Sequence, residues 1–191
     1  SWTCRFANDI DAKKVAAYRA NWGDSELHLG DVADIAPHQL PCQADLAWAS
    51  FPCQDLSLAG TGRGLAGHRS GAFHGFWRVI EGLAVDNRAP ALVAIENVCG
   101  TLTSRGGADF ATLMRTLSDG GYRPGALIID AERFLPQSRP RLFVIGVHDR
   151  VALPDRLHSP GPHCPFYTPA VVRAVASLPP EVAARTLWWS L

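Results

Sequence analysis

Ala91-Leu92-Val93-Ala94-Ile95 is an unbroken apolar run that ends on Glu96-Asn97-Val98. Continuous rather than alternating hydrophobicity over so short a stretch marks a strand covered on both faces, as in parallel sheets flanked by helices. The neighbouring segments supply such helices. From about Phe73 to Val85, Phe73, Phe76, Trp77, Ile80 and Leu83 recur at helical spacing; between Ala108 and Ser118, Phe110, Leu113, Met114 and Leu117 do the same, and Gly120-Gly121 ends the pattern. Further out, Thr3 to Ile10, Leu27 to Gly30 and Ala44 to Ser50 read as strands. Asp11 reads as the N-cap of a helix with Val15, Tyr18 and Trp22 on one face and Gly23 at its end. Ala126 to Ile129 and Leu142 to Val147 are two last strands joined by a polar, proline-containing connection. The alternation predicts an α/β, Rossmann-like fold with a mostly parallel sheet and an antiparallel terminal pair. Ligands then belong in the loops at the carboxyl ends of the strands.

The 191 residues suit one domain, and 47% hydrophobic composition supplies a core, which excludes a disordered or fibrous chain. Charged residues are 19%, so sparing that part of the surface is expected to be covered. Eighteen basic and 18 acidic side chains cancel, so any attraction to a polyanion must be local. No apolar run reaches the ~18 residues of a membrane span. Cys4, Cys42, Cys53, Cys99 and Cys164 are odd in number, scattered, and without a Cys-x-x-Cys pair, which argues against a disulfide framework or a metal site and for a reducing compartment. Beyond residue 150, seven prolines break up the chain, and residues 151–191 read as a linker or the start of another region after a domain spanning 1–150.

Chemistry-bearing residues gather at the strand ends. Asp9 and Asp11, in Asn8-Asp9-Ile10-Asp11, either accept hydrogen bonds from a ribose diol or simply cap a helix. Asp31, in Gly30-Asp31-Val32, either receives an amino group or turns the chain. Cys53 follows a strand in Phe51-Pro52-Cys53-Gln54 and reads as a nucleophile or as a small buried hydrophobe. The loop after it holds five glycines with Arg63, His68 and Arg69, enough basic character to close over a polyanion or to be plain surface. Glu96, beside an apolar strand, is expected to resist ionisation and to share a proton near neutrality, unless it is purely structural. Arg139 and Arg141, one residue apart, point the same way in extended backbone, suiting carbonyl oxygen or phosphate; a solvated pair is the alternative.

Phe51-Pro52-Cys53-Gln54, Glu96-Asn97-Val98 and Gln137-x-Arg139-x-Arg141, in this order, resemble the signature of the DNA cytosine 5-methyltransferases, and the segments around Asp9 and Asp31 resemble the cofactor segments of that family. The resemblance covers roughly residues 3 to 148 and is closer to the bacterial DNA enzymes than to the tRNA-modifying branch. It implies S-adenosylmethionine as cofactor, double-stranded DNA as partner, a bacterial cytoplasmic setting and a covalent mechanism on a base flipped from the duplex. Cys53 would add to carbon 6 of cytosine, Glu96 would bond ring nitrogen 3 and the exocyclic amine, and Arg139 would hold the base carbonyl with support from Arg141. Asp9 would bind the ribose, with Ile10 in the same segment; Asp31 and Val32 would meet the adenine, and Pro52 would border the methyl site. The loop from Ser57 to Arg69 would close on the base.

The chain departs from that family in places. No glycine-rich turn of the Phe-x-Gly-x-Gly type precedes Thr3, so the first strand corresponds to the second of the family. The absent strand would lie between the strands ending at Asp9 and at Cys53, leaving two edges bare. The target recognition region and the last motifs have no counterpart before Leu191, and Trp188-Trp189 suggests a cut in mid-structure. The sequence is therefore expected to be part of a larger enzyme, completed by a missing segment or a second chain, and inactive by itself. A tRNA cytosine methyltransferase and a catalytically dead DNA-binding remnant are the rival readings. A dinucleotide-dependent oxidoreductase lacks its Gly-x-Gly-x-x-Gly turn.

Overall fold

The apolar run becomes the centre of the sheet. In the computed structural model, which describes residues 2–41, 43–52 and 71–190, it forms β4, Leu92–Val98, with Val93 and Ile95 fully buried and Ala94 nearly so. β3 (Leu46–Ser50) pairs with it in parallel, Leu46 against Leu92 through Ser50 against Glu96. On the other side β6 (Pro140–His148) runs antiparallel, Leu92 against Val147 through Val98 against Arg141. β5 (Tyr122–Asp130) pairs antiparallel with β6 and closes the sheet. The order is β3-β4-β6-β5, and β3, β4 and β5 point the same way while β6 runs against them. The fold is α/β with mostly parallel strands and an antiparallel pair at the end.

Two helices cover one face. Helix α1 (Ala12–Trp22) belongs elsewhere; the covering helices are α2 (Ala72–Val85) and α3 (Ala108–Asp119). Phe73, Trp77 and Ile80 of α2 and Phe110, Leu113, Met114 and Leu117 of α3 pack on Ala49, Val93, Ile95, Leu142 and Val144. Each such side chain contributes about 1.5–3 kcal/mol on burial, so this face dominates stability. α2 is apolar on a second side as well: Val79 and Leu83 pack with Ile35 of the segment that follows β2 (Leu27–Leu29). β1 (Ala7–Asp9) pairs in parallel with β2, Ala7 to Leu27 and Asp9 to Leu29. Among the described residues this pair forms its own two-stranded sheet and shares no ladder with β3. Around α1 only Val15 is buried; Trp22, expected on the same inner face, is 76% exposed, because α1 meets little beyond the short β1–β2 pair.

Residues 151–190 wrap the outer edge of the sheet. The Ile128 amide donates to Phe166 O and the Leu187 amide to Pro124 O, so the free edge of β5 is bonded. Val171 and Val175 of α4 (Pro169–Ala176), with Leu178 and with Val182 of α5 (Pro180–Ala183), join the helical core. Trp189 lies against Leu127 and Val147 on the opposite face. There, His158–Ser159 and Trp188–Trp189 form a two-residue ladder, β7 with β8. No helix of the described residues is long and apolar enough to cross a membrane.

Asp109, in the first turn of α3, is almost fully buried and accepts from Arg105 Nε at 2.8 Å and from the Ser104 hydroxyl. Burial pushes its carboxyl up, but the bonds from Arg105 and Ser104 outweigh this and hold it below the usual carboxylate range. The folded value lies under the unfolded one, so the stabilisation is present above about pH 4 and lost as pH falls through the folded value. Asp109→Asn should cost about 1–3 kcal/mol at neutral pH and flatten the acid limb of the melting temperature against pH. An unchanged melting profile would contradict this assignment.

Candidate active site

β4 presents alternate residues to opposite faces, and at its carboxyl end the two faces differ in kind. Glu96 points away from the helices. Its Oε1 lies 3.0 Å from Arg141 Nε, and its Oε2 accepts from the Ser50 hydroxyl. The register explains the row: Ser50 is the β3 partner of Glu96, whereas Phe143 is its β6 partner and Arg141 the diagonal neighbour on the same face. Both charged side chains are about four-fifths buried. Trp48, two residues before Ser50, sets its ring edge-on to Phe143 at 5.9 Å and gives the row an apolar flank.

Asn97 points into the core and is 4% exposed. Its amide nitrogen donates to Phe51 O at 3.2 Å, while its oxygen accepts from the Val98 amide at 2.8 Å and from the buried Thr101 hydroxyl at 3.2 Å. Phe51 is buried against Phe73, so the exit of β3 is fixed from below. Pro52 follows, exposed. Cys53 and the loop from Ser57 to Arg69 lie outside the described residues. Cys99, just past β4, has its thiol pushed up by burial, with the nearby Arg141 charge only a partial offset. That disfavours the thiolate form a nucleophile needs.

Arg141 and Arg139 part company. Arg141 holds Glu96; the guanidinium of Arg139, at the exposed entry to β6, has no hydrogen bond or ion pair among the described residues. Its backbone is nevertheless fixed. Asp130, at the end of β5, accepts from the amides of Arg139 at 2.6 Å and Glu132 at 3.2 Å and from the Ser138 hydroxyl at 3.0 Å. Burial works against its charge, but these donors and Arg133 hold its carboxyl below the ordinary range.

Asp9 and Asp31 end adjacent parallel strands, joined where the Gly30 amide donates to Asp9 O at 3.2 Å. Local roles are present at each: Asp11 caps α1 by accepting from the Lys13 amide, Asp9 Oδ1 takes the Asp11 amide within the turn, and Asp31 Oδ1 takes the Ala33 amide where it turns the chain, each at 2.8 Å. Asp9 Oδ2 lies 3.7 Å from Lys14 Nζ. Asp9 and Asp31 thus each spend one oxygen on their own turn, and the second, an acceptor, fits the hydroxyls of a ribose diol or an amino group. Ile10 is 68% exposed beside them. Val32 is packed under the segment, whose seat on α2 is unusually close. A methyl group at Gly75 would lie 2.9 Å from Val32 Cγ1, and one at Gly82 would overlap Pro37 Cγ. Arg78 donates to Ala33 O, and Arg88 donates to Pro37 O at 2.8 Å and Leu40 O at 3.0 Å.

Ser50, Asn97 and Asp130 are the residues that sequence reasoning did not single out. Ser50 adjoins one quoted motif and Asn97 stands inside another, but the partners of both follow only from the folded structure. Asp130 carried the signal of an acidic residue at a strand end, eight residues before Ser138.

The Gly82 contact is testable. Gly82→Ala has to displace the 32–37 segment, costing about 1–3 kcal/mol. Both the thermal midpoint and the affinity for S-adenosylhomocysteine, measured by calorimetry, are expected to fall. Full retention of both would contradict the seating of Asp31 through α2.

Comparison with known proteins is consistent across three kinds of similarity. A family model described as C-5 cytosine-specific DNA methylase matches residues 1–181. The Type II methyltransferase M.BsuFI of Bacillus subtilis is 31% identical over 153 residues, covering 80% of this chain and 36% of that protein. M.HpaII of Haemophilus parainfluenzae is 28% identical over 187 residues, covering 96% and 50%. The chain therefore spans between about a third and a half of these relatives. The solved Dnmt2 methyltransferase of S. pombe shares the fold, with a TM-score of 0.60 and 22% identity over 79% of this chain and 45% of that one. The Entamoeba histolytica methyltransferase EhMeth does so at 0.56, again 22% identical, over 74% and 44%. With a motif order, a sheet and a family model in agreement, this chain belongs to the C-5 cytosine-specific DNA methylase family.

Proposed function

We propose that this chain supplies the catalytic half of a DNA cytosine C5-methyltransferase acting on a base turned out of duplex DNA. The observation that carries the reading is the row of Ser50, Glu96 and Arg141 at the end of the strand that leads into Cys53. It offers an ion-paired carboxylate on the strand next to the one that runs on in sequence towards Cys53, and attack on an unreactive pyrimidine needs a carboxyl and a thiol together.

The chemistry follows from the base. Carbon 5 of cytosine is a poor nucleophile until a thiolate adds to carbon 6. Formation of the Cys53 sulfur–carbon bond pushes the ring electrons towards carbon 5, while Glu96 holds ring nitrogen 3 and the amine and supplies the proton that neutralises the ring. Arg139, whose guanidinium has no hydrogen bond or ion pair among the described residues, is available for the base carbonyl. Arg141 keeps Glu96 oriented and its charge balanced. S-adenosylmethionine, when bound, supplies the methyl group. Asp9 and Asp31 would hold its ribose and adenine, with Ile10, Val32 and Pro52 lining the site. Transfer of the carbon 5 proton to water then lets the ring electrons expel the Cys53 thiolate, and the ring nitrogen returns its proton to Glu96.

A further strand between β1 and β3 fits this reading, because among the described residues the two sheets share no ladder and Trp48, Leu29 and Ile10 are exposed. Supplied by another segment or chain, it would complete the cofactor side, and target readout would come from beyond the described residues. The setting would be the bacterial cytoplasm.

Residues 1–191 alone are expected to transfer no label from S-adenosylmethionine, and the completed protein to label duplex DNA rather than tRNA. In the completed protein, Cys53→Ser should abolish transfer while DNA binding persists, and Glu96→Gln should slow it at least about 100-fold. Undiminished transfer by Cys53→Ser would end the reading; labelling of tRNA alone would move it to the rival substrate.

A further inference from the structure

The Glu96 carboxylate is suspended between two strands. Arg141 reaches Oε1 from β6, and Ser50 reaches Oε2 from β3. A glutamate side chain loses considerable rotamer freedom when fixed, and a single donor at one oxygen still lets the carboxyl plane swing about that contact. A second donor from the opposite side removes that freedom. The two donors are not equivalent. The guanidinium carries a full charge and only donates, whereas the hydroxyl is neutral, both donates and accepts, and can rotate away. Ser50 is exposed, is the last residue of β3 and lies three positions before Cys53 in sequence.

From this geometry we propose that Ser50 is a positioning residue for Glu96. It fixes the carboxyl plane before the base arrives and yields Oε2 to the base on docking, while Arg141 keeps Oε1 throughout. Ser50 touches neither sulfur nor methyl group; its effect passes through Glu96. The inference rests on Glu96 acting on the base, as in the preceding section. It assigns to β3 a residue outside the Phe51-Pro52-Cys53-Gln54 motif and separates its work from that of Asn97. The amide of Asn97 holds the same strand exit from the core side, through backbone.

The test is single-turnover methyl transfer by the completed protein. Ser50→Ala should lower the rate on the order of tenfold, the loss expected when a bond to a charged group is removed. S-adenosylhomocysteine affinity and the thermal midpoint should stay unchanged. Ser50→Thr, which keeps the hydroxyl, should recover most of the rate. In a Glu96→Asp background, whose shorter arm no longer meets the hydroxyl, Ser50→Ala should cause no further loss, the signature of two residues acting as one unit. A full rate for Ser50→Ala, or the same fractional loss in both backgrounds, overturns the assignment of Ser50 and leaves Glu96 in place. A full rate for Glu96→Gln instead removes the reading beneath it.

Discussion

The Glu96–Arg141 pair is the contact on which the site depends, and its worth is geometric. At 3.0 Å and partly open to water, such a pair contributes on the order of 1 kcal/mol or less to stability. The apolar face of the same strand contributes several times that through Val93 and Ile95 alone. What the pair does is fix one carboxylate at the meeting point of three strands. Arg141 can reach Glu96 only because β6 runs antiparallel and places it diagonally across the ladder. A parallel β6, or a register shifted by one residue, would turn Arg141 to the other face.

β4 divides the labour by its pleat. On one face Val93 and Ile95 meet the helices and Asn97 bonds Phe51 and Thr101; on the other Glu96 meets Ser50 and Arg141. Adjacent residues Glu96 and Asn97 thereby hold the exit of β3 from both sides, one through a side chain and one through backbone. The site is built on a strand inside the sheet whose Val93, Ala94, Ile95 and Asn97 are all buried. Its cofactor side is built differently, from short strands and a segment pressed onto α2 by Gly75, Gly82 and Arg88.

Much of this was legible in the sequence. The run Ala91–Ile95 announced β4, and the spacing of Phe110, Leu113, Met114 and Leu117 announced α3, because both patterns are local consequences of burial. Glu96 and Arg141 were legible as motif residues. The row they form with Ser50 was not, since strand partners 46 residues apart leave no local trace. Asp9 and Asp31 each suit either a local turn or cap role or a ligand, and the local bonds account for one oxygen of each, while the cap of α1 falls to Asp11. Trp22 misled because helical spacing says which residues share a face, not whether anything covers it. Residues 151–190 hid their packing behind prolines that cut their apolar positions into runs too short to show a period. Where Cys53 sits lies outside the described residues.

Catalysis by the proposed route requires that the thiol of Cys53 bond the base. Duplex DNA with 5-fluorocytosine at the target position holds that bond in place, because fluorine cannot leave as the carbon 5 proton does. The completed protein, incubated with such DNA and S-adenosylmethionine, should give a denaturation-resistant adduct whose digestion maps the nucleotide to the peptide containing Cys53. An adduct mapped to Cys99 or another cysteine, or no adduct from a protein that methylates unmodified DNA, would contradict it.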